Sequence, residues 1–533
     1  MSDRPNFLFI ITDQHRADYL GCSGHPVLRT PGIDSIAARG RRFDRFYVAN
    51  PVCMPNRSTL VTGRMPSVHG VRSNGIPLSL RANTFLDLLR AGGWRTALLG
   101  KSHLQNMTGH AAIQKPPPPP PGVRPPPPEL REAWKAPYGD GDYGQEHPDR
   151  WRSEEPLKLK LPFYGYEHVD LCTEHGDRVG GHYYQWLRDR TPDADALRDR
   201  KNQLPHDYVC PQAVRTPVPE ELYPTSWVTD RALDWLDAQA KSGGDAPFFA
   251  MVAYPDPHHP FTPPGKYWGL YDPADMTPPV SFSERNRPVP PTVEWLRARR
   301  ADGTAVLNSQ TPFAVDEREL REAMALTCGM IAMIDDGVGR LLARLEALGL
   351  ADNTVVVFTA DHGDFMGDHG IMLKGPIHYQ SITRVPFIWA DTPDRARPGA
   401  ASTLCGTVDI AATILERAGL QPYWGMQGRS LLDIAAGHED PDAAVLIEED
   451  SQRAELGFDR PPRLHTLVTS DWRLSVYDGV EWGELYNLAE DPHELDNRWD
   501  DPACTAIRGE LFERMVRGRI DLVDRSPLPT GRA

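Results

Sequence analysis

The stretch Asn6-Phe7-Leu8-Phe9-Ile10-Ile11-Thr12-Asp13-Gln14-His15 decides the fold of this chain. Residues 7–11 are apolar without alternation, the pattern of a strand buried on both faces of a sheet. Runs 96–99, 248–253 and 354–358 read the same way, and helical patterns lie between them at 33–39, 85–91, 226–239 and 318–348. Strands alternating with helices predict an α/β domain with a central, mostly parallel sheet flanked by helices. Each apolar run ends in polar residues: Asp13 and Gln14, Lys101 and His103, His258, and Asp361 with His362. Open parallel sheets bind ligands beyond the carboxyl ends of their strands, so four separate segments point at one edge.

Composition bounds the rest. A length of 533 residues suggests one large domain and a smaller one, and 40% hydrophobic with 25% charged residues suits a globular enzyme. The net charge of −15 argues against nucleic-acid and membrane partners, which favour basic surfaces. Residues 7–11 are too short for a signal-peptide core or a membrane span, which predicts a cytoplasmic protein. The seven cysteines are scattered and odd in number, without a disulfide framework or Cys-x-x-Cys pattern. Near-continuous prolines at 116–121 and 125–128 mark an insertion at about 115–160 that favours polyproline II. It reads equally as a stiff arm at the site or subunit boundary and as a surface insertion. The aromatic residues 134, 138, 143, 151, 163, 164 and 166 either wall a pocket or pack the insertion. From about 438 the pattern turns to short strands (444–447, 464–469, 472–477) and a final helix at 506–517. The expected division is a catalytic domain at 1–437 and a carboxy-terminal subdomain at 438–533.

The most chemically suggestive run is Cys53-Met54-Pro55-Asn56-Arg57-Ser58-Thr59-Leu60-Val61-Thr62-Gly63-Arg64. Pro55 suits the first position of a helix, which places the thiol just ahead of free backbone N–H groups that favour an anion. Arg57 lies about one turn beyond Cys53, and Gly63 supplies a stop.

This run resembles the C-x-P-x-R…L-x-T-G-R signature of the formylglycine-dependent sulfatases, in the alkaline phosphatase superfamily. Asn56 stands where Ser or Ala is usual. The resemblance covers nearly the whole chain, including Glu484-Leu485-Tyr486-Asn487-Leu488 with Asp491-Pro492 of the small antiparallel subdomain. It implies an alkaline-phosphatase-like large domain and oxidation of Cys53 to formylglycine by a separate formylglycine-generating enzyme. It also implies one divalent metal held by Asp13, Gln14, residue 53, Asp361 and His362. Family members often carry Asp and Asn where Gln14 and His362 stand. The imidazole favours manganese, with calcium or zinc as alternatives.

The same resemblance makes Lys101 a sulfate ligand and His103 a partner of the formylglycine hydrate. His258 becomes the proton donor to the departing alcohol, with His259 as the competing assignment. Lys374 contacts sulfate and leaving group, and Arg57 stabilises charge. Asn74 is either a substrate ligand or a turn residue beside Gly75. The implied activity is hydrolysis of sulfate monoesters, arylsulfatase-like. The Asp-Gln and Asp-His pairs and Met372-Leu373-Lys374-Gly375-Pro376 also look like phosphonate monoester hydrolases. Phosphonate monoester or phosphodiester hydrolysis is therefore the alternative, and a non-catalytic anion binder with unconverted Cys53 the remote one. The implied partners are a small anionic ester and further copies of the chain, as a dimer or tetramer.

Overall fold

The computed structural model describes residues 4–153, 158–242, 246–284 and 287–532. Its main sheet contains β1 (Asn6–Thr12), β2 (Arg41–Phe43), β3 (Arg95–Lys101), β4 (His168–Thr173), β5 (Gly180–Gly181), β6 (Phe248–Ala253), β7 (Thr354–Ala360), β8 (Phe387–Ala390) and β9 (Gly399–Ala401). The spatial order is β9-β2-β8-β7-β1-β6-β3-β4-β5. Neighbours among β7, β1, β6, β3 and β4 pair in parallel, whereas β8 and β5 run against theirs. β1 sits at the centre, with Phe9 opposite Met251 on one side and Val357 on the other.

The unbroken apolar run of β1 follows from this position. Phe7, Phe9 and Ile11 enter one core with Leu60, Phe85 and Ile410; Leu8 and Ile10 enter the other with Trp227, Ile334 and Val338. Successive strand side chains point to opposite faces, so a doubly covered strand has no wet side on which to place a polar residue. Helices Pro224–Lys241 and Glu317–Ala347 cover the second face. The latter opens with a capping box in which Asp316 and Glu319 each accept the other's backbone N–H.

The signature helix differs from expectation. It runs Cys53–Thr62, with Val52 extended at φ −129°, so Pro55 is its third residue and Cys53 its first. Proline is tolerated there because the first four N–H groups have no partner within the helix. The thiol is therefore part of the first turn, not ahead of it. Gly63 ends the helix at φ 63°, a left-handed turn that its missing Cβ permits, and its N–H bonds the Thr59 carbonyl.

The small sheet comprises β10 (Val445–Asp450), β11 (Arg463–Val468), β12 (Trp472–Tyr477) and β13 (Gly483–Asn487), antiparallel in sequence order. Leu467, Leu474 and Leu485 pack under the helix Thr505–Asp521 through Leu511 and Met515. Ile447, Val468 and Tyr486 face the large domain. Within this sheet Arg473 is fully buried, paired with Glu484 at 2.9 Å and with Glu494. Removing either carboxylate would strip a buried charge of a partner, a costly change.

The proline runs are exposed and carry no strand. Trp151, Phe163, Tyr164 and Tyr166 are buried in the core beside Phe85 and Leu86, whereas Trp134 is 75% exposed. For those four, packing is the reason for the aromatic character. Among the described residues the seven cysteines are free thiols.

Candidate active site

A cleft of about 640 Å³ is lined by Cys53, Asn74, His103, His175, His258 and Lys374 among others, and the ends of β1, β3, β4, β6 and β7 gather beside it. β1 leads to Asp13 and Gln14, β3 ends on Lys101, β6 leads to His258 and His259, and β7 to Asp361 and His362. None of the insertion's seven aromatic residues lines this cleft. Gln14 (φ 60°) and His103 (φ 58°) hold left-handed backbone, a conformation that β-carbons disfavour and that clusters at functional sites.

The two central carboxylates are fully buried, and each divides its oxygens between two tasks. Asp361 Oδ2 accepts from Arg57 Nε at 2.7 Å; its Oδ1 accepts the Gln14 N–H at 3.1 Å and lies 3.6 Å from His362 Nε2. Asp13 Oδ2 is paired with Lys101 Nζ and with Arg57 Nη2, the latter at 3.3 Å. Its Oδ1 lies 3.8 Å from Cys53 Sγ and 3.6 Å from His362 Nε2. Burial pushes the Asp13 carboxyl up, but Lys101 and then Arg57 outweigh it and hold the group well below the usual carboxylate range. One oxygen of each carboxylate is thus held by cations while the other turns toward His362 Nε2, Asp361 Oδ1 also accepting the Gln14 N–H.

The remaining donors are oriented from behind. Gln14 Nε2 donates to Asp364 Oδ2 and to His259 Nδ1 at 3.0 Å, which turns Oε1 toward the site. His362 Nδ1 faces the Gly363 carbonyl at 2.9 Å, leaving the Nε2 lone pair inward. Asp13, Cys53, Asp361 and His362 place their ligand atoms within 4.8 Å of one another. Three inward donors converge on the Lys374 side-chain nitrogen. It touches Gln14 Oε1 at 3.1 Å, Cys53 Sγ at 3.3 Å and His362 Nε2 at 2.9 Å. Two carboxylate oxygens, an amide oxygen and an imidazole nitrogen fit one divalent ion.

His258 lines the cleft, its Nε2 2.9 Å from Lys374 Nζ, while its Nδ1 faces the His259 carbonyl. His259 lies behind Gln14 and does not line the cleft. Burial, then His175 and Lys374, push the His258 imidazole well below its usual range, so the free site holds it neutral. Burial and then Asp13 push the Cys53 thiol up to about 11, so it is not an activated thiolate. Asn74 Oδ1 accepts the Met54 N–H at 3.0 Å and pins the first turn beside Cys53.

Several residues here escaped sequence reasoning. Asn56 spans from the Ala49 N–H (3.0 Å) to the Asp361 carbonyl (2.6 Å), which ties the helix to the loop that carries Asp361 and His362. His175 follows β4, a strand whose sequence His-Val-Asp-Leu-Cys-Thr gives no apolar run. Glu146, inside the insertion, accepts the backbone N–H groups of His103, Leu104 and Gln105 at 2.9, 3.0 and 3.1 Å. No sequence signal marked it, since Glu146 stands beyond the proline runs among other acids such as Asp140, Asp142 and Asp149. Glu146→Ala strands three donors, and one unsatisfied buried group costs about 1–3 kcal/mol. The expected result is a clear drop in melting temperature and in kcat/KM, with Glu146→Gln milder in both. A wild-type melting curve for the alanine variant would remove Glu146 from the support of His103.

Comparison with known proteins agrees with this geometry. The sulfatase family model matches residues 5–115 and 160–420, and the gap between the two segments coincides with the proline insertion. The chain belongs to the sulfatase family. The carboxy-terminal model of N-sulphoglucosamine sulphohydrolase matches residues 367–521. Among sulfatase relatives, the multifunctional alkaline phosphatase superfamily protein PehA of Trinickia caryophylli is 25% identical, covering 98% of this chain and 96% of its own. The arylsulfatase of Clostridium perfringens is 26% identical over 93% of this chain and 90% of its own. The crystal structure of the phosphonate monoester hydrolase of Agrobacterium radiobacter superposes with a TM-score of 0.74 at 25% identity, covering 98% and 97% of the two chains. This sulfatase-family chain is accordingly a hydrolase with an alkaline-phosphatase-like fold. Among the described residues no helix is long and apolar enough to cross a membrane.

Proposed function

We propose that this enzyme hydrolyses sulfate monoesters, with Cys53 matured to formylglycine and one divalent cation held by Asp13, Gln14, residue 53, Asp361 and His362. The observation that carries the reading is Lys374. Its ammonium is 7% exposed and touches Gln14, Cys53, His258 and His362, all of them uncharged. A buried cation without a carboxylate partner is costly, and a bound anion relieves that cost. With Lys101 and Arg57 it makes three cations around residue 53 against two committed carboxylates.

A divalent cation there supplies positive charge and lowers the pKa of a bound oxygen nucleophile. The hydrated aldehyde at residue 53 supplies one hydroxyl for attack and a second whose deprotonation releases the anion. The chain's own residues do the rest. Lys101 and Lys374 hold the anionic headgroup in the cleft while Arg57 fixes both metal-ligand carboxylates. An arriving anion adds negative charge that opposes the burial and the positive neighbours depressing His258, and that imidazole then carries a proton on Nε2 toward the leaving oxygen. His103, which lines the same cleft as residue 53, takes the proton whose loss frees the product.

Gln14 with His362, and the likeness to a phosphonate monoester hydrolase, favour a second reading in which the same site cleaves phosphonate monoesters or phosphodiesters. These headgroups share size and a single negative charge, so the site's charges do not separate them. Nitrophenyl sulfate, a phenylphosphonate monoester and a phosphodiester compared by kcat/KM on manganese-replete enzyme decide the matter, with sulfate expected highest. A higher value for either phosphorus ester overturns the first reading. The imidazole ligand favours manganese over calcium, with zinc as the other candidate. Maturation by the formylglycine-generating enzyme, a cytoplasmic location and a homo-oligomeric state belong to the same proposal.

A further inference from the structure

We infer that His175 is a positioning residue that ties the anion-holding Lys101 to the proton-donating His258. This rests on the roles just proposed for those two groups and adds a residue that neither motif contains. His175 Nε2 lies 2.6 Å from Lys101 Nζ, and its ring stacks on His258 with centroids 3.5 Å apart and 14° between planes. An ammonium only donates, so His175 Nε2 is the acceptor and its proton resides on Nδ1. One Lys101 N–H goes to Asp13 Oδ2 and a second to His175. Two fixed N–H directions on a tetrahedral nitrogen confine the third, which is the one left for a substrate oxygen.

The same ring sets the plane of the acid. His258 is sandwiched between His175 and His259, the latter at 4.1 Å and 27°. Stacking restricts rotation of the His258 ring, and its Nδ1 contact with the His259 carbonyl fixes which nitrogen faces the cleft. The backbone clamps His175 in turn. Glu174 is left-handed at φ 64°, and Gly176 at φ 53° sits where a Cβ would come within 2.8 Å of Thr262 Oγ1. A histidine that served the core alone would be sealed inside it, whereas the His175 side chain remains 13% exposed and lines the cleft.

Two substitutions separate the two contacts. His175→Phe keeps a flat ring on His258 and loses the acceptor; His175→Gln keeps an acceptor and loses the ring. Metal-replete, matured enzyme is assayed with nitrophenyl sulfate and with an unactivated alkyl sulfate, and inorganic sulfate binding is measured by calorimetry. Losing a hydrogen bond to a charged group should raise KM and the sulfate Kd about tenfold in His175→Phe, equally for both esters. Losing the stack should lower kcat about three- to tenfold on the alkyl ester in His175→Gln, with nitrophenyl turnover and sulfate Kd near wild type. Identical effects of both variants on both esters, or a lowered melting temperature with unchanged kinetics, would overturn the inference. If wild type prefers phosphorus esters, the same leaving-group pair is run on that headgroup. If it cleaves neither class, the proposed function fails by itself. The sulfate affinities then decide, with equal weakening in both variants counting against His175.

Discussion

Cys53→Ala should abolish turnover of every ester the enzyme accepts while leaving its melting temperature within a few degrees of wild type. Removing a covalent nucleophile of a hydrolase lowers kcat by roughly six orders of magnitude. The structural loss is small by comparison. The Cys53 side chain is 1% exposed, and its thiol touches Lys374, His362 and Asp13 without being the sole partner of any of them. Arg57→Ala is a poor substitute for this experiment, because it strips Asp361 and Asp13 of a buried partner, a change that costs about 3–5 kcal/mol. Residual activity above about a thousandth of wild type in Cys53→Ala would refute the nucleophile assignment. Maturation is checked on the wild-type tryptic peptide 46–57, whose mass falls as CH2SH becomes CHO. Finding only the thiol in protein made with the converting enzyme would favour a binding protein.

The second large effect belongs to His258→Ala. General acid catalysis contributes about 10²–10⁴ where the leaving oxygen needs a proton, and almost nothing where it departs as a stable anion. An alkyl sulfate should lose that whole factor, whereas nitrophenyl sulfate should stay within about tenfold. Equal losses on both esters would mean that His258 is not the acid. His259→Ala provides the contrast. It removes both the group that faces Gln14 Nε2 from behind and the second ring stacked on His258, so it should lower metal occupancy and shift the ratio between the two esters by no more than about tenfold, the bound set for loss of the His175 stack.

The residues differ in how readable they were. β1, β6 and β7 announce themselves because sheet centre and double coverage forbid polar residues, and the groups following them must then lie at the sheet edge. β4 and β8 flank the block β7-β1-β6-β3 yet were not read: β4 carries His168 and Asp170 on partly wet positions, and β8 offers only four residues. The start of the signature helix was misplaced by two residues because proline is tolerated throughout the first turn, so its position does not fix the helix origin.

By itself the sequence determined the doubly covered sheet, a helix through Pro55 and Arg57 that stops at Gly63, and the residue types that follow the strands, since burial and periodicity are local properties of the chain. Tertiary structure alone decided which oxygen of Asp13 and Asp361 faces inward, that His258 rather than His259 reaches the cleft, and that His175 and Glu146 belong to the site. Those outcomes depend on residues far apart along the chain, such as Gln14 and Lys374 at 360 positions, brought together only by strand pairing such as that of β1 with β7. No local pattern encodes an orientation set by so distant a neighbour.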